Sequence, residues 1–347
     1  MTKPRVRVAV LSGGRSSEHD ISLASAASVV AALDPARFEV LAIEIGREGR
    51  WELPAAGGAA LLPGASSPIV PATTDGGPPL VVDVVLPILH GPFGEDGTVQ
   101  GLCEMLDVPY VGAGVLGSAL AMDKSVCKAV LRDAGIATAP SLTLLAHRDD
   151  PDDPALHDRV ETALGLPVFV KPARLGSSVG ISKAHDRAEL ATAIALAFAH
   201  DDKVLVERFV TGREVECGVL GNESPIASAV GEILPHNEWY DFEAKYVEGG
   251  SDIVIPARLT AEETAGIQRT SLAAFEACDL AGLARIDFFL EPDGTIVLNE
   301  INTMPGFTST SVYASLFAAS GLPYAELLTR LIDLALERHA RRSRLRF

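Results

Sequence analysis

The 347-residue sequence predicts a multidomain protein that combines an α/β domain with α+β domains. Three observations support this class. Strands and helices alternate over residues 1–122, which is typical of a mostly parallel sheet covered on both faces. A compact mixed unit follows up to about residue 211, and strands dominate from residue 213 onward. At about 150 residues per domain, this length corresponds to two or three domains.

The N-terminal domain is predicted to begin with a buried strand of β-branched residues, which Gly13 and Gly14 break. Asp20 is expected to cap the Ala-rich helix that follows. The Pro/Gly/Ala/Ser-rich stretch 54–79 is predicted to be a surface excursion. The elements of this domain are strand 5–11, helix 21–33, strands 38–45 and 81–88, and helices 97–107 and 115–121.

The central unit is predicted to begin with a helix over 124–134, capped by Asp123 and followed by Gly135 at the C′ position. Asp186 and Glu189 form a start signal for an Ala-rich helix that runs to about residue 199. The other predicted elements are strand 141–145, helix 154–164, strand 167–171 and strand 203–209.

The C-terminal part is predicted to be rich in strands. Thr260 and Glu263 form a capping box that opens a helix to about residue 279, and 233–251 is a polar loop. The other predicted elements are strands 213–220, 225–232, 252–256, 283–291 and 295–301, and helices 311–319 and 323–342.

Composition excludes several classes of protein. The chain carries 29 basic and 46 acidic residues, a net charge of −17, whereas proteins that bind nucleic acid or anionic membranes are usually basic. The four cysteines form no C-x-x-C pair, so neither a zinc site nor a disulfide framework is expected. The apolar stretches are too short to span a bilayer and the N-terminus lacks an apolar signal region. We therefore expect a cytoplasmic protein that binds neither nucleic acid nor membrane.

The last two strands predict a polar site, because Asp293-Gly294 between alternating apolar runs is a strong hairpin signal. If these two residues form the turn, facing Cβ atoms lie about 5 Å apart. The polar face then carries two facing pairs, Arg285 with Asn302 and Asp287 with Glu300. The core face carries Ile286, Phe288, Leu290, Val297 and Ile301.

Two facing carboxylates repel each other unless a cation lies between them. Ligands that are all oxygen, as in Asp287, Glu300 and Asn302, favour a hard cation such as Mg²⁺. The alternative is that Arg285 simply neutralises both acids on a solvated face. The Gly-containing loop 302–307 beside the cluster favours the metal site, because it can present backbone N–H groups to a ligand.

Three loops are further candidates for ligand binding, each with a structural alternative. The segment KPARLGSSVG at 171–180 could approach phosphate closely, or form a flexible turn. The segment SGGRSSEHDIS at 12–22 lacks the Rossmann glycine spacing. It could bind a ligand, because Glu18 and His19 lie where a parallel strand ends, or it could simply cap the next helix. HGPFGEDG at 90–97 could bind a ligand at the same edge, or be a tight turn ending in an N-cap.

Two other segments are weaker signals. ERFVTGRE at 207–214 could read an adenine through a strand edge and hold a ribose with an acid, or be a charged linker. Tyr240, Lys245 and Tyr246 lie in a polar loop that is a candidate lid, although loop aromatics often only pack.

Together these segments resemble the ATP-grasp superfamily, and within it the D-alanine–D-alanine ligase family. The resemblance covers nearly the whole chain and is specific because eight motifs occur in the right order. They are GGRSSEHDIS, HGPFGEDG, MDK at 122–124, VKPARLGSSVG, VERFVTGREVECGVL, YDFEAKY at 240–246, ARIDFF at 284–289 and NEINTMPGFTSTS at 299–311.

The resemblance implies an ATP-grasp fold preceded by a parallel α/β (pre-ATP-grasp) domain, with ATP held between the central and C-terminal sheets. The implied domains are 1–122, 123–211 and 212–347. It also implies two D-alanine substrates, two Mg²⁺ ions with Mn²⁺ as a substitute, and a homodimer. The implied reaction makes D-alanyl-D-alanine through an acyl phosphate, for peptidoglycan precursor synthesis.

The resemblance also implies roles for individual residues. For the nucleotide, they are Lys124 and Lys171 on the phosphates, Lys245 on the γ-phosphate, Glu207 and the Val210 backbone on adenine, and Glu214 on ribose. The implied metal ligands are Asp287, Glu300 and Asn302. For the substrates, Glu18 would bind the ammonium of the first D-alanine with His90 nearby, and Ser311 would bind the carboxylate of the second. Ser177 and Tyr246 would link a mobile loop to Glu18. Arg285 and the Gly306 N–H would stabilise the oxyanion.

Four other functions are alternatives to the dipeptide ligase. A D-alanine–D-lactate ligase usually has Phe where this chain has Tyr246. The segments EHDIS at 18–22 and HGPFGEDG at 90–97 speak against another ATP-grasp carboxylate–amine ligase. A nicotinamide-dependent oxidoreductase fails on glycine spacing and leaves the acidic hairpin unexplained. A non-catalytic nucleotide sensor would have no use for Arg285 beside the metal ligands.

Overall fold

The computed structural model describes residues 4–52, 59–61, 69–71, 82–176, 179–235 and 251–346. Three residues with an implied role, Ser177, Lys245 and Tyr246, lie outside these ranges, as does nearly all of the candidate lid. Within the 54–79 excursion the structure describes only two short paired strands, 59–61 and 69–71. The domain boundaries at 122 and 211 stay predictions.

The N-terminal sheet is mostly parallel, as the alternation of elements predicts. Its central strand β1 pairs in parallel with β2 and β6, and β3 adds an antiparallel edge to β2. The strands of this region are β1 Val6–Gly13, β2 Phe38–Ile45, β3 Trp51–Glu52, β4 Ala59–Leu61, β5 Ile69–Pro71 and β6 Val84–Pro87, and its helices are α1 His19–Ala32, α2 Thr98–Met105 and α3 Val115–Met122.

One cap prediction in this domain is wrong. Helix α1 begins at His19 with Glu18 as the N-cap residue, so Asp20 lies inside the first turn. There its carboxylate accepts two hydrogen bonds from Arg47, both 2.8 Å long. A carboxylate in the first turn interacts favourably with the positive end of the helix dipole, even when it does not cap the helix. The start of α1 therefore places Glu18, rather than Asp20, at the end of the sheet.

The central sheet is antiparallel with strand order β7-β10-β8-β9. Asp123 caps α4 as expected, accepting hydrogen bonds from the backbone N–H groups of Ser125 and Val126. Gly135 has the predicted left-handed conformation, with φ of 76°. The elements are α4 Lys124–Asp133, β7 Ser141–Leu145, α5 Pro154–Leu164, β8 Val168–Pro172, β9 Ser182–Ala184, α6 Arg187–Phe198 and β10 Lys203–Arg208.

The C-terminal sheet is a five-stranded antiparallel sheet with strand order β13-β12-β11-β14-β15. The capping box of Thr260 and Glu263 is present as predicted. The elements are β11 Arg213–Gly221, β12 Ile226–Pro235, β13 Ser251–Val254, α7 Ala261–Ala277, β14 Gly282–Leu290, β15 Ile296–Asn302, α8 Val312–Ala319 and α9 Tyr324–Arg342.

The last helix, α9, does not pack on its own sheet alone. Its buried face, which includes Leu327 and Leu331, shares one apolar core with Val8 and Val10 of β1. The opposite face of the N-terminal sheet, with Ala9 and Leu11, has a separate core that includes residues of α2. The N-terminal sheet is therefore covered on both faces, and α1 shares the cover of one face with a helix from the far end of the chain.

The β14–β15 hairpin confirms both predicted polar pairs, Arg285 with Asn302 and Asp287 with Glu300. Its turn differs from the prediction, because Leu290 pairs with Ile296. A bulge at Asn299 adds one residue to β15 and restores the predicted register beyond it.

Because of the bulge, the core face of β15 differs from the prediction. Between the turn and Asn299 the side chains of β15 alternate in the opposite sense from the prediction. Leu298 therefore joins the core of Ile286 and Phe288, whereas Val297 joins a small cluster with Ala139 and Val210. The interpretation of Val297 as part of the main hairpin core is wrong, because it assumed a two-residue turn and no bulge.

Candidate active site

A cleft of about 350 Å³ lies between the central and C-terminal sheets. One end is apolar and is bounded by Phe169 and Phe209, whose ring centroids are 5.9 Å apart. The other end is charged. Of the residues with an implied role, the cleft is lined by Lys124, Lys171, Glu207, Val210, Glu214, Asp287 and Glu300. An apolar slot that leads to charged groups suits a ligand with a flat base and an anionic tail.

The charged floor is built around the buried Glu207 of β10. Its carboxylate forms ion pairs with two lysines: Oε1 lies 2.6 Å from Lys128 Nζ, and Oε2 pairs with Lys171 Nζ. Burial alone would raise the pKa of Glu207, but the two ammonium groups lower it to about 2. Burial also opposes the charge on Lys171, yet Glu207 and the more distant Glu300 raise its pKa. Both groups are therefore ionised at neutral pH.

Lys124 lies on the first turn of α4 and points into the same floor. Its Nζ donates to the Leu175 carbonyl at 2.7 Å and lies 3.6 Å from Glu300 Oε2. The cap at Asp123 fixes where α4 begins and so places this lysine. Helix α4, the 171–176 segment and β15 thus converge on one point, as the motif analysis expects.

A row of three carboxylates crosses the C-terminal sheet. Glu216 of β11 faces Asp287 of β14, which in turn faces Glu300 of β15. Glu216 was not among the predicted site residues, although the period-two alternation of β11 places it on the same face as Glu214. Like charges that face each other across strands destabilise a sheet. The row therefore requires positive charge.

Arg285 supplies part of that charge. Its guanidinium donates two hydrogen bonds of 2.8 Å to Asp287 and lies 3.0 Å from Glu216 Oε2. Burial opposes its charge, but the carboxylates raise its pKa well above the usual value. Asn302 donates its side-chain N–H to Asp287 Oδ2 at 2.9 Å. The structure thus brings the three implied metal ligands and Arg285 together.

The donor set of this cluster fits a hard divalent cation. Across the described ranges, no three His, Cys, Asp or Glu side chains form a metal-binding group by themselves. The set that fits is instead two carboxylates and an amide, Asp287, Glu300 and Asn302, which is all oxygen. Four cationic and six anionic side chains line the cleft. A cleft with this excess of carboxylates needs additional cations before it can accept a polyphosphate.

A second part of the site surrounds Glu18, which is buried between two glycines. A Cβ on Gly91 would lie 2.5 Å from Glu18 Oε2, and one on Gly176 would lie 3.3 Å from it. Side chains at those positions would collide with the carboxylate or crowd it. The three loops that the sequence analysis singled out therefore meet at Glu18.

His90 ties this region to the 302–307 loop. Its Nδ1 donates to the Met304 carbonyl at 2.9 Å, and its Nε2 lies 3.2 Å from Ser25 Oγ. Burial lowers the pKa of His90, and the charge of Glu18 only partly opposes this. His90 is therefore a neutral structural link beside Glu18, as well as a candidate substrate contact.

Glu95, which lies in the same 90–97 loop as His90, was also not among the predicted site residues. Its two oxygens accept from the backbone N–H groups of Gly91 and Met304, each at 2.8 Å. Burial and the nearby charge of Glu18 raise its pKa to about 7. The only signal in the sequence is its place in the HGPFGEDG motif, because one of its backbone partners, Met304, lies far along the chain.

Gly306 and Ser311 lie close together in the loop between β15 and α8. A Cβ on Gly306 would be 3.4 Å from Ser311 Oγ. Ser311 Oγ accepts a hydrogen bond from the Thr308 N–H at 2.9 Å and stands at the N-cap position of α8. The implied roles of these residues stay predictions, as do those of Ser177, Lys245 and Tyr246.

Comparison with known proteins decides the family. The model named "D-ala D-ala ligase N-terminus" matches residues 7–113, and "D-ala D-ala ligase C-terminus" matches residues 130–333. A D-alanine--D-alanine ligase of Geobacillus thermodenitrificans is 48% identical over 96% of this chain and 96% of its own length. The chain belongs to the D-alanine–D-alanine ligase family.

Other members of the family agree over the full length. A D-alanine--D-alanine ligase of Bacillus cytotoxicus is 45% identical and covers 100% of this chain and 99% of its own. The solved D-alanine-D-alanine ligase of Coxiella burnetii superposes with a TM-score of 0.86 at 36% identity, over 98% of this chain and 96% of that one. The VanG D-Ala:D-Ser ligase of Enterococcus faecalis gives 0.87 at 35%, over 96% and 100%.

Membership of the D-alanine–D-alanine ligase family confirms the predicted ATP-grasp fold and makes the chain an ATP-dependent ligase that uses divalent metal ions. The oxidoreductase and sensor alternatives are thereby excluded. Among the helices that the structure describes, none has the length and apolar character needed to cross a bilayer.

Proposed function

We propose that the chain joins two molecules of D-alanine to D-alanyl-D-alanine, with conversion of ATP to ADP and phosphate. Family membership supports this reaction, as does one observation of the site. The metal-type cluster of Asp287 and Glu300 shares a cleft with Lys124 and Lys171, while Glu18 lies buried beside the same 171–176 segment. Such a product would feed peptidoglycan precursor synthesis, which is a cytoplasmic process.

In the first step, the carboxylate of one D-alanine attacks the γ-phosphorus of ATP, so that an acyl phosphate forms and ADP leaves. Glu18 is proposed to hold the ammonium of this D-alanine as its counter-ion, with His90 nearby. The nucleotide is proposed to lie with adenine in the apolar slot near Glu207 and Val210, ribose at Glu214, and phosphates at Lys124 and Lys171. Lys245 is assigned to the γ-phosphate by family resemblance.

In the second step, the amine of the other D-alanine, having lost a proton, attacks the acyl carbon. A tetrahedral oxyanion forms and collapses with loss of phosphate. Arg285 is proposed to stabilise this oxyanion together with the Gly306 N–H, because fixed donors in a water-excluded site are effective there. Ser311 is proposed to hold the carboxylate of the second D-alanine, and Ser177 and Tyr246 to close the site over both.

The metal is proposed to be Mg²⁺, with two ions in the active complex and Mn²⁺ able to replace them. Asp287, Glu300 and Asn302 would hold them, with Asn302 presenting its amide oxygen. Bound there, the ions would neutralise charge on the transferring phosphoryl group.

The deciding experiment measures phosphate release from ATP with D-alanine, D-serine, D-lactate or L-alanine as substrate, with product masses recorded. We expect release with D-alanine and a product of dialanine mass. Release that requires D-lactate or D-serine alongside D-alanine would instead make the chain a depsipeptide or mixed-dipeptide ligase. No release with any D-substrate would overturn the proposal.

We also propose that the protein is a homodimer, as the family resemblance implies. Sedimentation velocity at micromolar concentration should give a single species of about twice the 36.4 kDa chain mass. A species of the chain mass alone would contradict this.

A further inference from the structure

Lys128 is a buried lysine to which the family resemblance assigned no role. Its side chain is only 2% exposed, and it lies one helical turn after Lys124 on α4, on the same face. Burying an ammonium group costs free energy that an ion pair seldom recovers fully, and an apolar side chain of similar size would pack as well. Stability alone therefore does not account for a lysine at this position.

The ammonium of Lys128 contacts two groups behind the cleft floor. It forms an ion pair with Glu207, whose Oε1 lies 2.6 Å away, and donates a hydrogen bond to the Asn299 carbonyl at 3.2 Å. Burial lowers the pKa of Lys128, and the Glu207 carboxylate opposes that effect. Because Lys171 occupies the other oxygen of Glu207, the carboxylate is fixed at both ends. Removing Lys128 would leave Glu207 free to rotate with Lys171.

Asn299 is the extra residue of the β-bulge, so it has no partner in β14. The carbonyl of an unpaired bulge residue needs a donor from elsewhere when it is buried. Lys128 is such a donor. The side chain of Asn299 in turn accepts from Lys171 at 3.4 Å, and the next residue is Glu300. The bulge thus stands between the two lysines and the metal-type cluster.

From this geometry we propose that Lys128 is a positioning residue of the ATP site, which sets the orientation of Glu207 and Lys171 and anchors the bulge that places Glu300. The inference rests on the proposed function, in which Glu207 and Lys171 meet ATP and Glu300 holds the metal. Lys128 would thus connect the part of the site that binds adenine with the part that holds the metal, without itself contacting ATP.

The test compares Lys128→Met with Arg338→Met. Arg338 lies on α9 and donates to the Tyr110 carbonyl at 3.0 Å, so it is a partly buried cation with a backbone acceptor that does not line the cleft. Binding of the non-hydrolysable analogue adenylyl imidodiphosphate is measured by calorimetry at several Mg²⁺ concentrations. The KM for ATP, the KM for D-alanine and thermal unfolding are measured alongside.

For Lys128→Met we expect roughly 10- to 100-fold weaker analogue binding, as is typical when a group that orients a ligand is removed. The Mg²⁺ concentration for half-maximal binding should rise as well, with the KM for D-alanine unchanged. Lys128→Arg, which keeps the charge and both donors, should recover much of the binding. Arg338→Met should bind the analogue as the original chain does.

Unchanged analogue binding in a folded Lys128→Met variant would overturn the proposal. So would a loss that affects ATP and D-alanine equally, since this would reflect general damage to the fold. If Lys128→Met does not fold, Lys128→Gln takes its place, and unfolding of both would assign Lys128 to stability alone. Analogue binding needs no D-alanine, so it tests Lys128 even if the ligase reaction itself is not found.

Discussion

At the scale of single residues, neighbours decide what each carboxylate in the site can do. Glu207 lies between two ammonium groups and is ionised down to a pKa of about 2. Within the described ranges, Glu95 has no cation bonded to it: it accepts hydrogen bonds from two backbone N–H groups and the Thr303 hydroxyl close to another carboxylate, and its pKa rises to about 7. Both are buried glutamates, so residue type alone could not separate their behaviour.

Glu300→Gln should abolish ligation while leaving the fold intact, because it removes one negative charge from a shared cation. The loss of kcat/KM should exceed the roughly 10- to 100-fold effect that is typical of groups which only orient a metal ligand. Phosphate release with Mg²⁺ and D-alanine measures it. Glu276→Gln, an exposed change on α7, is the control. Normal turnover of Glu300→Gln would remove this residue from the metal site.

Glu95→Gln tests the raised pKa of Glu95 through the pH dependence of stability. Between its ordinary value of 4.5 and about 7, the unfolded chain loses this proton but the folded protein keeps it, so folded stability falls as pH rises. Below that window and above it, Glu95 adds no further pH dependence.

The unfolding midpoint of the original chain should therefore fall relative to that of Glu95→Gln as the pH rises from 5 to 7. Above pH 7 the difference between the two midpoints should stay constant. The lost hydrogen bonds add only a constant offset, and Glu276→Gln should show no such slope. Parallel curves across the whole range would mean that Glu95 ionises normally.

At the scale of elements, most of the structure followed from local signals. The caps at Asp123 and Thr260 and the left-handed Gly135 were predictable because each depends on residues next to one another in sequence. The α1 start was not, because Asp20 pairs with Arg47 across the sheet end instead of capping. The hairpin lies between these cases, since its polar pairs were correct although its turn was not.

The bulge at Asn299 explains that mixed result. A turn one residue longer than expected and a bulge of one residue shift the register in opposite senses, and they cancel at Asp287 and Glu300. Nothing local to Asn299 signals a bulge. The groups that stabilise it, Lys128 and Lys171, come from other elements.

Asp123→Ala should weaken both stability and nucleotide binding. Loss of an N-cap costs about 1 kcal/mol, and here it also frees the first turn of α4, which carries Lys124. Asp153→Ala removes the equivalent cap of α5, which lies away from the cleft. Both variants should lower the free energy of unfolding by similar amounts, but only Asp123→Ala should raise the KM for ATP. If both variants changed the KM for ATP equally, the Asp123 cap would have no specific role in placing Lys124.

At the scale of the whole molecule, the motif order predicted the cleft between two sheets, but not which distant segments close each core. The residues that join β1 to α9 are more than 300 positions apart, and each alone reads as an ordinary apolar residue of its own element. Glu216 was missed for a similar reason, because its neighbours Asp287 and Glu300 lie on other strands.

Removal of divalent cations should abolish nucleotide binding by the whole cleft. Its lining has more carboxylates than cations, in a chain of net charge −17. With EDTA present, affinity for adenylyl imidodiphosphate should fall by more than about tenfold, equivalent to about 1.4 kcal/mol. Mg²⁺ should restore it, whereas NaCl of equal ionic strength should not. Undiminished binding in EDTA would mean that the protein's own cations suffice.

The docking of α9 against β1 has a consequence for how the protein forms in the cell. A ribosome makes β1, β2 and β6 long before it makes Leu327 and Leu331, which complete one side of their core. Until then α1 covers only part of that side of the nascent sheet, and a growing chain with incompletely covered apolar surface is prone to associate with others. This ligase should therefore need shelter by a chaperone until its translation is nearly over.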